Sequence, residues 1–155
     1  MTDNPDYAQV AIAPPLVFLG YLVGVLVLHW AVPLPTPWTT TLRIVGVLVV
    51  VSGLWLGSFA VSQLIKAHTT PDSHRPTTAL VTNGPYLYTR NPIYLGFFLI
   101  YLGFTWLAGT LWGLLLSPFL IGTVTQFIIH AEETYLKRKF EDEYTEYSSR
   151  VRQWL

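Results

Sequence analysis

Four apolar runs, each near the length needed to cross a bilayer, constrain this chain more than any other feature. A membrane helix needs about 20 predominantly apolar residues, with about 17 as the lower bound. Residues 14–32, 44–65, 93–108 and 111–129 are the candidates, and the third is short enough that tilt or a shallow position is expected. Of 155 residues, 52% are apolar and 12% charged, too few polar groups to coat a soluble domain this small. The pattern predicts one all-α integral membrane domain of about four transmembrane helices. Pro14 and Pro15 open the first run where a missing N–H is harmless. With no basic leader and no small-residue cleavage site, that run is expected to be a retained span and not a signal peptide.

Only Gly109 and Thr110 separate the last two runs, which makes them an antiparallel hairpin whose turn barely leaves the bilayer. Two small-residue pairs, Gly20/Gly24 and Gly53/Gly57, have the four-residue spacing of close-packed membrane helices, a spacing that is also frequent by chance in apolar sequence. Eight of the nine basic residues fall on one side of a four-span arrangement, with Arg43 alone opposite. By the positive-inside rule the 66–92 connection and the C-terminal tail are cytoplasmic. Parity then puts the N-terminus there too. In the tail, Leu136, Phe140, Tyr144, Tyr147, Val151 and Trp154 recur at spacings of three and four, which predicts an amphipathic helix at the cytoplasmic interface.

The charges total zero and point to no nucleic-acid partner. No cysteine is present, so thiolate nucleophiles, sulfur metal sites and lipidated cysteines are excluded. There is no glycine-rich phosphate loop, and the histidines show no repeated ligand spacing, so no metal is expected. What remains is an unusual density of polar groups at the cytoplasmic ends of the last two spans. The stretch 80–92, LVTNGPYLYTRNP, turns at Asn83-Gly84-Pro85 and leads into a helix through Arg90-Asn91-Pro92. His130-Ala131-Glu132-Glu133 emerges from the fourth span, and Ser73-His74-Arg75-Pro76 lies in the preceding connection. Taken singly, the tyrosines suit an interfacial belt, Arg90 a snorkelling residue, and Glu133 a pair with Lys137 one turn on.

Taken together, LVTNGPYLYTRNPIYLG and, some forty residues later, HAEETYLKRKFEDEYTEYSSRVRQWL resemble the isoprenylcysteine carboxyl methyltransferase family and the related phospholipid methyltransferase-like membrane proteins. The resemblance covers roughly residues 74–155. It implies a small helical bundle whose last hairpin and C-terminal helix enclose S-adenosylmethionine at the cytoplasmic face. A lipophilic acceptor, a carboxylate or an amine, would arrive from the surrounding membrane lipids.

Carried over by position, the resemblance implies that Leu80, Val81, Thr82, Gly84, Pro85 and Tyr86 wrap the cofactor. Tyr88, Arg90, Asn91 and Tyr94 would line its pocket, and His130 with the glutamate pair would complete it. Adjacent helical residues point about 100° apart, so one glutamate alone meets the cofactor ammonium. Glu133 is expected there, with Glu132 turned toward the acceptor or the connecting loop. Arg150 and Arg152 are expected to orient the acceptor. Two positions depart from the family pattern: Asn91 stands where many members have histidine, and Leu87 where a basic residue is common. Two other functions share part of the pattern: a membrane reductase of the sterol-reductase kind with a nicotinamide cofactor, and a non-catalytic scaffold.

Overall fold

The computed structural model describes residues 6–36 and 39–155. Five helices follow in order: α1 (Pro14–Ala31), α2 (Thr40–Lys66), α3 (Pro92–Leu107), α4 (Trp112–Val124) and α5 (His130–Arg150). A π-helical turn (Thr125–Ile129) joins α4 to α5 without a break, and a 3₁₀ turn (Gly84–Leu87) precedes α3. The chain is thus an all-α membrane protein. Among the described residues, α1, α2 and the continuous rod Trp112–Arg150 are long and apolar enough to cross a bilayer. Helix α3, at 16 residues, reaches about 24 Å. The apolar runs therefore mark the helices to within a few residues at each end.

Local chemistry explains the boundaries. Prolines occupy the first turns of α1 and α3, where no intrahelical N–H is needed. Thr39 caps α2 by accepting the Leu42 N–H at 3.2 Å. At its other end α2 closes with paired reversed bonds, Thr69 N–H to Leu64 O and His68 N–H to Ile65 O, both 3.0 Å. His68 takes the left-handed conformation this cap requires, with φ 54°. Gly109 turns the α3–α4 hairpin at φ 68°. The hairpin is held at its turn by Thr36 N–H to Gly109 O and Leu111 N–H to Leu34 O, each 2.9 Å.

Glycine decides how α2 meets α3. A methyl group built on Gly53 would lie 2.6 Å from the Gly96 carbonyl oxygen, and one on Gly103 would lie 2.7 Å from that of Gly46. The two helices thus touch backbone to backbone at two levels, seven residues apart on each. Gly96 also approaches the backbone of Gly57, so both members of the Gly53/Gly57 pair lie at the seam, although only Gly53 would bring its own methyl group into contact. Gly20 and Gly24 have nothing within 4 Å, so that second pair is not a helix contact. Helix α1 packs on α3 and α4 through Phe18 and Val25, in a core with Tyr101, Leu120, Val124, Ile128 and Ile129. Leu16, Leu19, Leu48, Trp55, Phe119 and Phe127 face outward, as a lipid-exposed surface should.

The amphipathic tail helix forms, but in two pieces. Glu141 adopts φ 43°, ψ −112° inside α5, a left-handed conformation rare for a residue with a side chain. There the rod bends sharply, and the second piece carries Tyr144 and Tyr147 onto Tyr86 and Val81. The tail's apolar stripe, Leu136, Phe140, Tyr144, Tyr147, Val151 and Trp154, packs against the protein itself.

Candidate functional site

The polar groups converge on a cleft at the end of the bundle where α2 stops, α3 begins and α4 passes into α5. The cleft holds a cavity of about 140 Å³, within about 880 Å³ counted out to its open mouth. The 67–91 connection forms one side. Thr78 N–H donates to Thr69 Oγ1 and Thr78 Oγ1 donates to His68 O, tying that loop into a compact unit. Asp72 receives the His74 N–H at 3.0 Å and pairs with Arg75 at 3.2 Å. The His74 backbone bond, more than the neighbouring cations, holds its carboxyl below the usual carboxylate range.

The α3 entry supplies the second side. Tyr94 stands one turn into the helix, and its hydroxyl donates to Glu132 Oε1 at 2.6 Å. Ser73 Oγ donates to the same oxygen at 2.5 Å. The Glu132 Oε2 atom makes no hydrogen bond among the described residues, and no cation stands against this carboxylate. The π turn aids this placement: one extra residue in the turn rotates everything after it, and α5 leaves it with Glu132, Glu133, Tyr135 and Leu136 lining the cleft.

Glu133 is differently engaged. Arg90 Nη2 lies 2.7 Å and Arg90 Nε 3.0 Å from its Oε1, with both side chains mostly covered. The same guanidinium donates to the carbonyls of Ser148 (2.9 Å) and Val151 (3.0 Å), the open C-terminal end of α5. Asn91 Nδ2 donates to Gln153 O at 2.9 Å, and Thr89 Oγ1 to the same oxygen at 3.1 Å. Tyr147 donates to Tyr86 O at 2.8 Å, and Trp154 Nε1 to Thr125 Oγ1 at 3.0 Å. The Arg90-Asn91 pair therefore clamps the chain's last residues over the cleft. Tyr86 is buried beneath them, and burial pushes its phenol well up from its ordinary range.

Of the residues expected from sequence, Leu80, Val81, Tyr86, Arg90, Asn91, Tyr94, Glu132 and Glu133 line the cleft together. Thr82, Gly84, Pro85, Tyr88 and His130 do not; Tyr88 and His130 are exposed, and Gly84 at φ 60° starts the 3₁₀ turn that delivers Tyr86. Arg150 and Arg152 are exposed outside the lining, Arg150 in a loose pair with Glu146 at 3.3 Å. Sequence reasoning missed Asp72, Tyr135, Tyr144, Tyr147 and Leu64 as lining, and Ala8, which reaches the cleft from ahead of the first span. Tyr144 and Tyr147 were legible as part of an apolar stripe, and Tyr135 was not, but nothing in their spacing told a cleft wall from a membrane-facing one.

Comparison with known proteins then places this geometry. The family model described as phospholipid methyltransferase matches residues 41–143. An uncharacterized protein of Haemophilus influenzae is 45% identical over 64 residues, 41% of this chain and 100% of that protein. The protein-S-isoprenylcysteine O-methyltransferase of Schizosaccharomyces pombe is 39% identical over 72 residues, 46% of this chain and 30% of that protein's length. No solved structure gives a significant match. With the family match running from the start of α2 into the middle of α5, across both sides of the cleft, the chain belongs to the phospholipid methyltransferase family.

Proposed function

We propose that the protein is an S-adenosylmethionine-dependent methyltransferase of the membrane, acting on a lipophilic acceptor at the cytoplasmic face. One observation carries the reading beyond the family match: the cleft is lined by three carboxylates, Asp72, Glu132 and Glu133, against a single guanidinium, Arg90. That guanidinium is already paired with Glu133, and Asp72 pairs with Arg75 outside the lining, which leaves Glu132 as the carboxylate without a basic partner among the described residues. Such a lining favours a cationic ligand and disfavours one carrying two or three phosphates, as a nicotinamide dinucleotide would.

The donor set fits. When bound, S-adenosylmethionine supplies a methyl group on a cationic sulfur, open to in-line displacement. Glu132, oriented by Tyr94 and Ser73 and with no cation of its own, offers the charge-assisted partner for an ammonium. Glu133 is the less suited glutamate because Arg90 occupies it, so the roles expected from sequence exchange. Tyr86, Tyr94, Tyr135, Tyr144 and Tyr147 present aromatic surface, which attracts a cation. Leu64, Ile93 and Leu136 exclude water and suit an apolar acceptor. Alignment and water exclusion are the main contributions such a displacement asks of its enzyme.

Calorimetric titration of the detergent-purified protein tests this. S-adenosylmethionine and its demethylated product S-adenosylhomocysteine are expected to bind, and NADPH is not. Binding of NADPH alone would favour a reductase, and binding of neither a scaffold.

Orientation is testable in the same cysteine-free chain. Thr110 is fully buried in the hairpin turn, so Leu111, 41% exposed, is the better outer reporter. A membrane-impermeant maleimide added to whole cells is expected to modify Leu111→Cys and leave Ser149→Cys untouched. The reverse pattern would invert the orientation.

A further inference from the structure

The cleft has a wall that lies outside the segment matched by the family. Residues 6–10 precede α1 and run across the cleft, with Ala8 and Val10 buried at 3% and 4% exposure and Ala8 in the lining. Tyr135 is the junction. Its hydroxyl donates to the Asp6 backbone oxygen at 3.1 Å and accepts the Thr77 N–H at 3.0 Å, so one phenol joins the N-terminal segment, the connecting loop and α5. Lys139, one turn further along α5, bonds both Asp6 carboxylate oxygens at 2.7 and 2.9 Å. On the other side, His74 Nε2 meets Val10 O at 3.2 Å.

The fastenings differ from those elsewhere around the cleft. The Arg90–Glu133 pair has side chains only 15% and 22% exposed, whereas in the Lys139–Asp6 pair Lys139 is 25% and Asp6 64% exposed. An exposed pair is weak and screened by salt. The cleft, open at its mouth, holds a cavity of about 140 Å³, smaller than the roughly 300–1,000 Å³ typical of ligand pockets. A nucleoside-bearing ligand needs more room than this, and residues 6–10, fastened to α5 through a partly exposed ion pair, are a wall that can give it.

We infer that residues 6–10 are a movable wall of the methyl-transfer pocket, latched by Lys139 and positioned by Tyr135, which swings out to admit and release the cofactor. This rests on the cofactor reading above. Ala8 then limits what fits beneath the wall, and Tyr135 acts as a positioning residue through Asp6 and Thr77.

The absence of native cysteine allows a direct test. Ala8→Cys, placed in the otherwise unchanged full chain, reports wall opening by its rate of reaction with a small maleimide. Asp6→Asn is expected to raise that rate about fivefold, the consequence of losing one exposed pair, and high salt is expected to act alike. S-adenosylhomocysteine is expected to slow the reaction by occupying the space behind the wall. An unchanged rate in Asp6→Asn would overturn the movable wall, even with ligand protection intact. Faster labelling in Asp6→Asn without ligand protection would uphold the wall and sink the cofactor reading. Should Ala8→Cys fail to fold, hydrogen exchange of the peptide covering residues 7–10 replaces it: Asp6→Asn should accelerate exchange there, and equal exchange would refute the latch.

Discussion

Replacing Glu132 with Gln is expected to weaken S-adenosylmethionine binding by about 10- to 100-fold, the range for a charge-assisted hydrogen bond set against a neutral one. The fold should survive. Gln retains an oxygen to accept from Tyr94 and Ser73, so what disappears is the charge and not the hydrogen-bonded frame. Glu133→Gln is expected to show the complementary pattern. It removes the partner of a guanidinium that is 15% exposed, which should cost about 1–3 kcal/mol of stability, between the values for exposed and buried pairs. Cofactor affinity should fall less, because Arg90 keeps its bonds to Ser148 and Val151. Titration calorimetry and thermal unfolding on both variants separate the two roles. A large affinity loss in Glu133→Gln with none in Glu132→Gln would restore the assignment expected from sequence.

The proposed exchange of roles rests on a feature that the sequence does not show. The helix positions followed from hydropathy alone, since lipid admits little else than helices in a chain of this composition. The clustering of Leu80, Val81, Tyr86, Arg90, Asn91, Tyr94 and the two glutamates followed from the quoted motifs. Which glutamate pairs with Arg90 and which with Tyr94 and Ser73 did not, because the face of α5 is set by the π turn at 125–129, and no residue type announces an extra residue in a helical turn. Glu141 hid the second bend in the same way: its left-handed backbone has no glycine to signal it. Arg90 and Asn91 read as ligand contacts because they are polar groups at a span's mouth. Both line the cleft, and their donors also reach Ser148, Val151 and Gln153, partners about sixty residues away that no local pattern reveals. The Ala8 wall was illegible for that reason too, being joined to α5 across most of the chain.

The α2–α3 seam is expected to give the largest stability effect, and it separates two sequence pairs that look alike. A methyl group at Gly96 would sit 2.9 Å from Gly53 O, 3.0 Å from Gly57 N and 3.1 Å from Gly57 Cα. All three are backbone atoms and cannot rotate aside. Gly96→Ala should therefore part the helices and cost about 1–3 kcal/mol, the range for overpacking a close contact, while Gly96→Leu should prevent the bundle from assembling. Gly20→Ala and Gly24→Ala meet open space and should be neutral, or slightly stabilising through the better helix propensity of alanine. Thermal unfolding in detergent, followed by helical circular dichroism, reads the difference. The seam also reaches the chemistry, since Leu64 of α2 and Ile93 and Tyr94 of α3 line the same cleft. Parting the helices moves those walls relative to each other, so Gly96→Ala should lose cofactor affinity along with stability, whereas Gly20→Ala should lose neither. Equal stability across the three alanine variants would mean that α2 and α3 do not meet through their glycines.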